Sequence, residues 1–161
     1  MRDILFDTGN FRFSYRVAGI LVRDGKVLLQ KAPPDEGFAF PGGHVSFGET
    51  NEQTLIREFK EEMNVDIAVK DLKWVAEIFC PWNGKMIHQI CLYYIVSLAD
   101  EYQFLPDTVF TGSEFFEDRS FSIEFHWIPL EELQNHVVYP VQTKELILLL
   151  DEGVKHFVYT E

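Results

Sequence analysis

GHVSFGETNEQTLIREFKEEMNV, residues 43–65, is the stretch around which the rest of the chain can be arranged. Ser46, Glu49 and Thr50 offer capping groups at its start, no proline or glycine interrupts residues 51–63, and Asn64 suits a left-handed stop. The spacing predicts a helix across the middle of the stretch. At about 100° per residue, Leu55, Ile56, Phe59 and Met63 share one arc, the side expected to meet a core. Glu58, Glu61 and Glu62 share another, because steps of three and four residues return to one face.

Three carboxylates stacked in this way should weaken the helix. Like charges at these spacings cost about 0.2–0.5 kcal/mol per pair, and anions in the last turns oppose the macrodipole at about 0.3–1 kcal/mol each. Arg57 and Lys60 offset part of this, but neither lies in the middle of the acidic arc. A local rule broken without local compensation points to a compensator outside the helix. Hard oxygen ligands on a rigid element suit Mg²⁺ or Mn²⁺, with water and substrate phosphates completing the shell. A solvated acidic face is the plainer alternative, and the flanking residues weigh against it.

With its flanks, the stretch resembles the signature of the nudix hydrolases, G-x5-E-x7-R-E-U-x-E-E-x-G-U, where U is a bulky apolar residue. Gly43, Glu49, Arg57, Glu58, Phe59, Glu61, Glu62 and Val65 match it. Asn64 stands where the family has glycine, and asparagine tolerates the same left-handed backbone. Phe59 is bulkier than the usual aliphatic residue, a matter of packing and not of chemistry. The resemblance implies an α/β/α sandwich with the helix as a metal platform. It also implies that Glu58, Glu61 and Glu62 ligate Mg²⁺ or Mn²⁺, with the Gly43 carbonyl as a further contact, and that Arg57 and Glu49 brace the carboxylates.

Outward from this stretch, the chain has 161 residues, enough for one domain with a real core. Fourteen basic against 26 acidic residues give a net charge of −12, which argues against a general nucleic-acid or anionic-membrane surface. Small phosphate substrates stay compatible, because a bound cation inverts the local sign. There is no charged-then-apolar leader and no long apolar run, so a cytoplasmic chain is expected. Cys80 and Cys91 are then buried, reduced thiols.

Residues 14–23 and 26–31 read as strands joined by an Asp24-Gly25 turn, and residues 73–82 and 85–98 as a long hairpin about Asn83-Gly84. A two-residue turn in the second sets Phe79 opposite His88, Glu77 opposite Ile90, Cys80 opposite Ile87 and Ala76 opposite Cys91. Residues 66–70 form a short strand candidate. Residues 1–13 show no clear period and are set aside as an N-terminal extension. Residues 99–120 lose periodicity and read as a long acidic loop. A strand at 121–128, a helix at 130–134 opened by Pro129, a last helix at about 143–150 and a tail at 154–161 complete the chain. Strands on either side of two helical patterns, without regular βαβ alternation, predict a mixed sheet within an α/β fold.

Family chemistry implies hydrolysis of a nucleoside diphosphate derivative at its pyrophosphate. Nucleotide sugars such as ADP-ribose and modified nucleoside triphosphates both fit. A non-catalytic ligand-binding module on the same fold is the alternative, though every signature glutamate is present. A dedicated nucleic-acid hydrolase fits poorly with the charge, and a homodimer is left open. Phe38 and Phe40, beside the Pro41-Gly42-Gly43 turn, and Glu77, on the long hairpin, are the expected substrate contacts. His44 reads as structural. Glu101, Glu114, Glu117 and Glu124 compete for the role of an auxiliary acid or base.

Overall fold

Two tight turns with positive φ at both central residues set the strand order. Asp24 and Gly25 have φ of 52° and 73°, and Asn83 and Gly84 have 48° and 76°, the requirement of a type I′ hairpin. The computed structural model describes residues 2–100, 103 and 106–161.

The first sheet contains β1 (Leu5–Thr8), β2 (Phe11–Ile20), β5 (Gly42–His44), β6 (Ile67–Trp82), β7 (Lys85–Leu98) and β10 (Lys155–Thr160). Its order is β1-β2-β7-β6-β10, with β5 also paired to β2. β2 runs parallel to β7 and β10 parallel to β6, while the other pairings are antiparallel. The sheet is mixed, as expected. The second sheet, β3 (Val22–Arg23), β4 (Lys26–Lys31), β9 (Arg119–Pro129) and β8 (Phe110–Phe116), is antiparallel throughout.

The expected strand 14–23 is two. It breaks at Leu21, so that β2 joins the first sheet and β3 turns into the second. The long hairpin keeps its register, with Phe79 opposite His88, Glu77 opposite Ile90, Cys80 opposite Ile87 and Ala76 opposite Cys91. Its first arm is longer than expected, because irregularities about Leu72 let residues 67–82 run as one strand.

Period-2 alternation divides the interior. Ala18, Ile20, Val27, Leu29, Trp74, Ala76 and Tyr93 form one cluster with Leu133 and Ile147 from the C-terminal helical turns. Val17, Leu28, Val45, Val96 and Phe125 form the other, with Leu55 and Phe59 of helix α1 (Asn51–Met63). Helical segments therefore cover both faces, giving the α/β sandwich.

Several expectations need correction. Residues 110–116 are strand β8, part of a hairpin with β9 about Glu117 and Asp118, and not loop. Residues 155–160 are strand β10 and not a tail, with Phe157 and Tyr159 packed on the core. The N-terminal dozen supplies β1 and the start of β2. The two late helices are short: a 3-10 turn at Leu130–Asn135, then α2 at Thr143–Leu146 running into a 3-10 turn at Ile147–Leu149. Ile56 is exposed, leaving the buried side of α1 to Leu55 and Phe59. Among the described residues, no helix is long and apolar enough to cross a membrane.

Candidate active site

Helix α1 is fixed at both ends before any acidic residue is considered. Thr50 caps it by accepting from the Gln53 amide (3.2 Å), and the Gln53 side chain accepts from the Thr50 amide (2.8 Å), a reciprocal capping box. Asn64 ends it at φ 56°, ψ 36°. Asn51 ties the first turn to the sheet, accepting from the Tyr15 hydroxyl (2.6 Å) and donating to the Tyr94 hydroxyl (2.9 Å). Phe59 is fully buried, a contribution of about 1.5–3 kcal/mol. The helix backbone is thus tied down at both ends and along its buried side.

Arg57 organises that face. Its Nε and Nη2 donate to the two Glu49 carboxylate oxygens (2.8 and 2.9 Å), Nη2 also reaches the His44 carbonyl (3.3 Å), and Nη1 donates to Glu58 (2.7 Å) and Glu61 (3.3 Å). Arg57 is thus the compensator on the helix itself for Glu58 and Glu61, because its long side chain reaches across the arc. Lys60 turns away to Asp66 (3.2 Å). Glu49 also accepts from Thr54 Oγ1 (2.9 Å).

The Arg57 guanidinium, aided by Thr54, holds the Glu49 carboxyl down at about 2. A carboxyl lowered in this way stabilises the fold above its unfolded pKa, and that stability is lost as pH falls toward the folded value. Glu49→Gln is therefore expected to cost about 2 kcal/mol at neutral pH after allowance for solvent screening. The gap to wild type should close between about pH 4.5 and about 2. Denaturant midpoints of the two proteins across that range test this, and a pH-independent gap would remove the ion pair as its cause.

Glu62 is different. It is 7% exposed, and among the described residues neither carboxylate oxygen has a hydrogen-bond partner. Burial first, then the neighbouring Glu58 and Glu114, pushes its pKa up to about 9. Burial likewise raises Glu58, against the pull of Arg57. An orphaned buried carboxylate is costly, and a divalent cation is the partner that suits oxygen donors. Among the described residues, no three acidic, imidazole or thiol groups are already gathered around one point. Mg²⁺ keeps several waters and needs few protein oxygens, so Glu62 with Glu58, Glu61 and the Gly43 backbone fits it. A side chain at Gly43 would fill this cradle, since its Cβ would fall 2.2 Å from Glu58 Cδ.

Glu58, Glu61 and Glu62 line a cavity of about 560 Å³ with Asp3, His44, Ser113, Glu114 and Phe116. Strand β8 supplies the far wall. It can approach because Gly112 lies against the end of α1, where a Cβ would meet the Glu62 carbonyl oxygen at 2.4 Å. Of the four acids that competed in the sequence, Glu114 faces this cavity. Glu117 pairs with Arg12 (2.8 Å) and Glu124 with His126 (3.0 Å), while Glu101 lies outside the described residues. His44 stacks on Phe116 (centroids 5.5 Å apart), and burial, reinforced by Arg16, drops its pKa to about 3. It is a neutral wall residue.

A second cavity, of about 620 Å³, is lined by Phe38, Phe40, Trp82, Tyr93, Tyr139 and Arg16, among others. Phe38 and Phe40 are both buried. Glu77 lines neither cavity. It alternates with buried Ala76 and Ile78, so it points to the opposite face and pairs with His156 (2.8 Å). Arg16 escaped the sequence reading, although a signal existed: it shares strand parity with Ala18 and Ile20, both core residues.

Fold and site together are a mixed sheet that carries a braced acidic helix over a polar cavity. The NUDIX domain family model matches residues 14–148. The chain is 48% identical over 85 residues to an ADP-ribose pyrophosphatase of Methanocaldococcus jannaschii, covering 51% of this chain and 49% of that protein. It is 37% identical over 76 residues to a CTP pyrophosphohydrolase of Escherichia coli, covering 45% and 55%. The chain thus matches about half the length of these curated relatives. The crystal structure of a Streptococcus suis ADP-ribose pyrophosphatase shares the fold, with a TM-score of 0.59, 13% identity, and coverage of 92% of this chain and 98% of that one. The chain belongs to the nudix hydrolase family.

Proposed function

We propose that this protein is a metal-dependent hydrolase that cuts the pyrophosphate linkage of a nucleoside diphosphate derivative, either a nucleotide sugar such as ADP-ribose or a modified nucleoside triphosphate. The observation that carries this reading is Glu62, a buried carboxylate without a hydrogen-bond partner among the described residues, which faces the acidic cavity beside Glu58, Glu61 and Glu114. Relatives named for ADP-ribose and CTP hydrolysis support the substrate class.

Glu58, Glu61 and Glu62, with the Gly43 backbone, would hold Mg²⁺ or Mn²⁺. The bound cation supplies charge neutralisation on the anhydride oxygens and a more acidic water. Arg57, itself oriented by Glu49, fixes Glu58 and Glu61 so that little rearrangement is needed on binding. Glu114, which lines the cavity opposite α1, would take a proton from the attacking water. Phe38 and Phe40 give the nucleoside half of the substrate an apolar seat. Free Cys80 and Cys91, the latter buried, fit a reducing cytoplasm.

A panel of ADP-ribose, other nucleotide sugars and nucleoside triphosphates, with Mg²⁺, Mn²⁺ or chelator, tests the reaction. Phosphate-containing products are expected only with metal. The melting temperature should also rise with millimolar metal, since a ligand of the folded state stabilises it by mass action. An unchanged melting temperature with no turnover across the panel would reduce the chain to a binding module.

A further inference from the structure

Period-2 alternation puts Phe11, Phe13, Tyr15 and Val17 on one face of β2. Helix α1 covers the far half of that face: Leu55 and Phe59 pack with Val17 and Leu92, and Asn51 in the first turn holds the Tyr15 and Tyr94 hydroxyls. The near half is an aromatic floor. Register carries one row across the sheet, with Phe6 of β1 opposite Phe13, Phe13 opposite His88 of β7, and His88 opposite Phe79 of β6. The rings follow one another with centroids 5.3, 6.0 and 4.5 Å apart. Phe11 stands opposite Met86 in the row toward the strand ends, and Tyr15 opposite Ile90 in the row toward the helix. Phe6 is 47% and Phe11 51% exposed, while Phe13, Phe79 and His88 are half-buried. None of these side chains lines the two cavities described above.

Charge and size say what covers this floor. The chain carries a net charge of −12, yet the charged groups of these strands are matched. Glu77, on the same face, is held by His156 (2.8 Å), and Asp7, at an intervening position, pairs with Arg12 (2.7 Å) and Lys85 (2.6 Å). A nucleic acid would meet no lysine or arginine in the aromatic row. Two copies of so acidic a chain repel each other, so their contact has to fall on neutral surface, as it does here. Five strands about 4.8 Å apart and three rows about 6.7 Å apart, with side-chain margins, give the floor about 500 Å². Stacked on itself it buries about 1,000 Å² in total, the size at which a contact becomes specific. A flat floor offers a foreign segment no groove, but it matches its own copy. Two sheets stack face to face about 10 Å apart with their side chains interdigitating. The step from the floor up to α1 is about as high as that spacing, so a second sheet fits beside the helix.

We infer that this floor is the self-association surface of the protein, and that the chain forms a two-fold pair by stacking the Phe6–Phe13–His88–Phe79 row of one copy on that of another. The pair is closed, because each copy uses its floor once. This pairing is independent of the hydrolase reading and needs neither metal nor substrate. The rival surface lies about the C-terminal helical turns, where Leu148 is 63% exposed. That residue sits on a 3-10 turn of three residues, too short to present a flat face.

Sedimentation of the full chain, 18.8 kDa, decides between them over a range of about 1–100 μM. Wild type is expected at twice the chain mass, with a melting temperature that rises with concentration. Phe6→Glu and Phe11→Glu place a charge where the single chain is exposed, so each should fold. The pair would bury that charge twice, and self-association should weaken about 100-fold or more. Phe11→Ser adds no charge and secures the test should glutamate disturb the strand; it should weaken pairing about tenfold. Leu148→Glu should sediment like wild type. The inference is overturned if wild type is a single chain at about 100 μM, if both glutamate variants pair like wild type, or if Leu148→Glu alone dissolves the pair. A single-chain wild type that binds an apolar dye, with the binding lost in Phe6→Glu, would overturn it in favour of a different protein as the occupant of the floor.

Discussion

Glu62→Gln is expected to fold normally and to lose about two orders of magnitude or more in kcat, in line with removal of one charge that acts on the transition state. The amide keeps shape and volume at a site that is 7% exposed, so packing is unchanged and the loss isolates the charge. The same variant gives a second reading in chelator. The wild-type carboxyl, raised to about 9 by burial and by Glu58 and Glu114, prefers its proton in the folded state. Between the ordinary carboxylate range and about pH 9 the folded protein binds that proton and the unfolded chain does not, so wild-type stability falls as pH rises through this window. The variant lacks the group and should hold its stability there. Denaturant midpoints with chelator at several pH values, and kcat with Mg²⁺, give the comparison. Wild-type turnover in the variant would remove Glu62 from the site. Equal pH slopes would mean that its carboxylate already has a partner.

How the site could be foreseen, and where foresight stopped, follows from what each feature depends on. Features set by nearest neighbours in the chain were legible. Thr50 and Asn64 bracket α1 through their own backbone and side-chain chemistry, and Asp24-Gly25 and Asn83-Gly84 need positive φ whatever surrounds them. The long hairpin's register followed from its turn. Features set by a distant partner were not. Strand β8 is only partly buried along its length and its hairpin turns on Glu117 and Asp118, at φ of 48° and 60° without a glycine, so nothing local marks it. The last strand did carry alternation, with Phe157 and Tyr159 on one side, but what makes it a strand is its parallel pairing with β6.

The acidic face shows the same division. That Glu58, Glu61 and Glu62 share one side of a helix is a matter of 3.6-residue periodicity. That they differ in environment is not. Glu61 is exposed, Glu58 rests between Arg57 and Gly43, and Glu62 is covered by a hairpin 50 residues downstream that brings Gly112 and Glu114 to it. Arg57 looked peripheral on a helical projection because the projection records Cα directions and ignores reach. Its guanidinium in fact spans from Glu49 to Glu61.

The adjacent glycines of β5 should separate structure from function most sharply. A Cβ at Gly42 would lie 2.0 Å from the Val17 carbonyl oxygen and 2.7 Å from the Ala18 Cα. Both obstacles are backbone within the core, and β2 cannot withdraw without breaking its pairing with β7. Gly42→Ala is expected to cost about 3 kcal/mol or more, at the upper end of overpacking, and to leave little folded protein at elevated temperature. A Cβ at Gly43 would fall 2.2 Å from Glu58 Cδ and 2.3 and 2.6 Å from its two oxygens. Here the obstacle is the end of a flexible side chain, which can swing aside at about 0.5–1.5 kcal/mol. Gly43→Ala should therefore fold, with a melting temperature close to wild type. Yet the displaced carboxylate has to move by about 1 Å and loosen its 2.7 Å contact with Arg57, and an error of that size at a reacting centre costs about 100-fold in rate. Melting curves and kcat/KM for the two variants, each with Mg²⁺ and with chelator, make the comparison. If Gly43→Ala were as unstable as Gly42→Ala, the Glu58 contact would be packing. If it turned over like wild type, the placement of Glu58 against the Gly43 backbone would have no part in the chemistry.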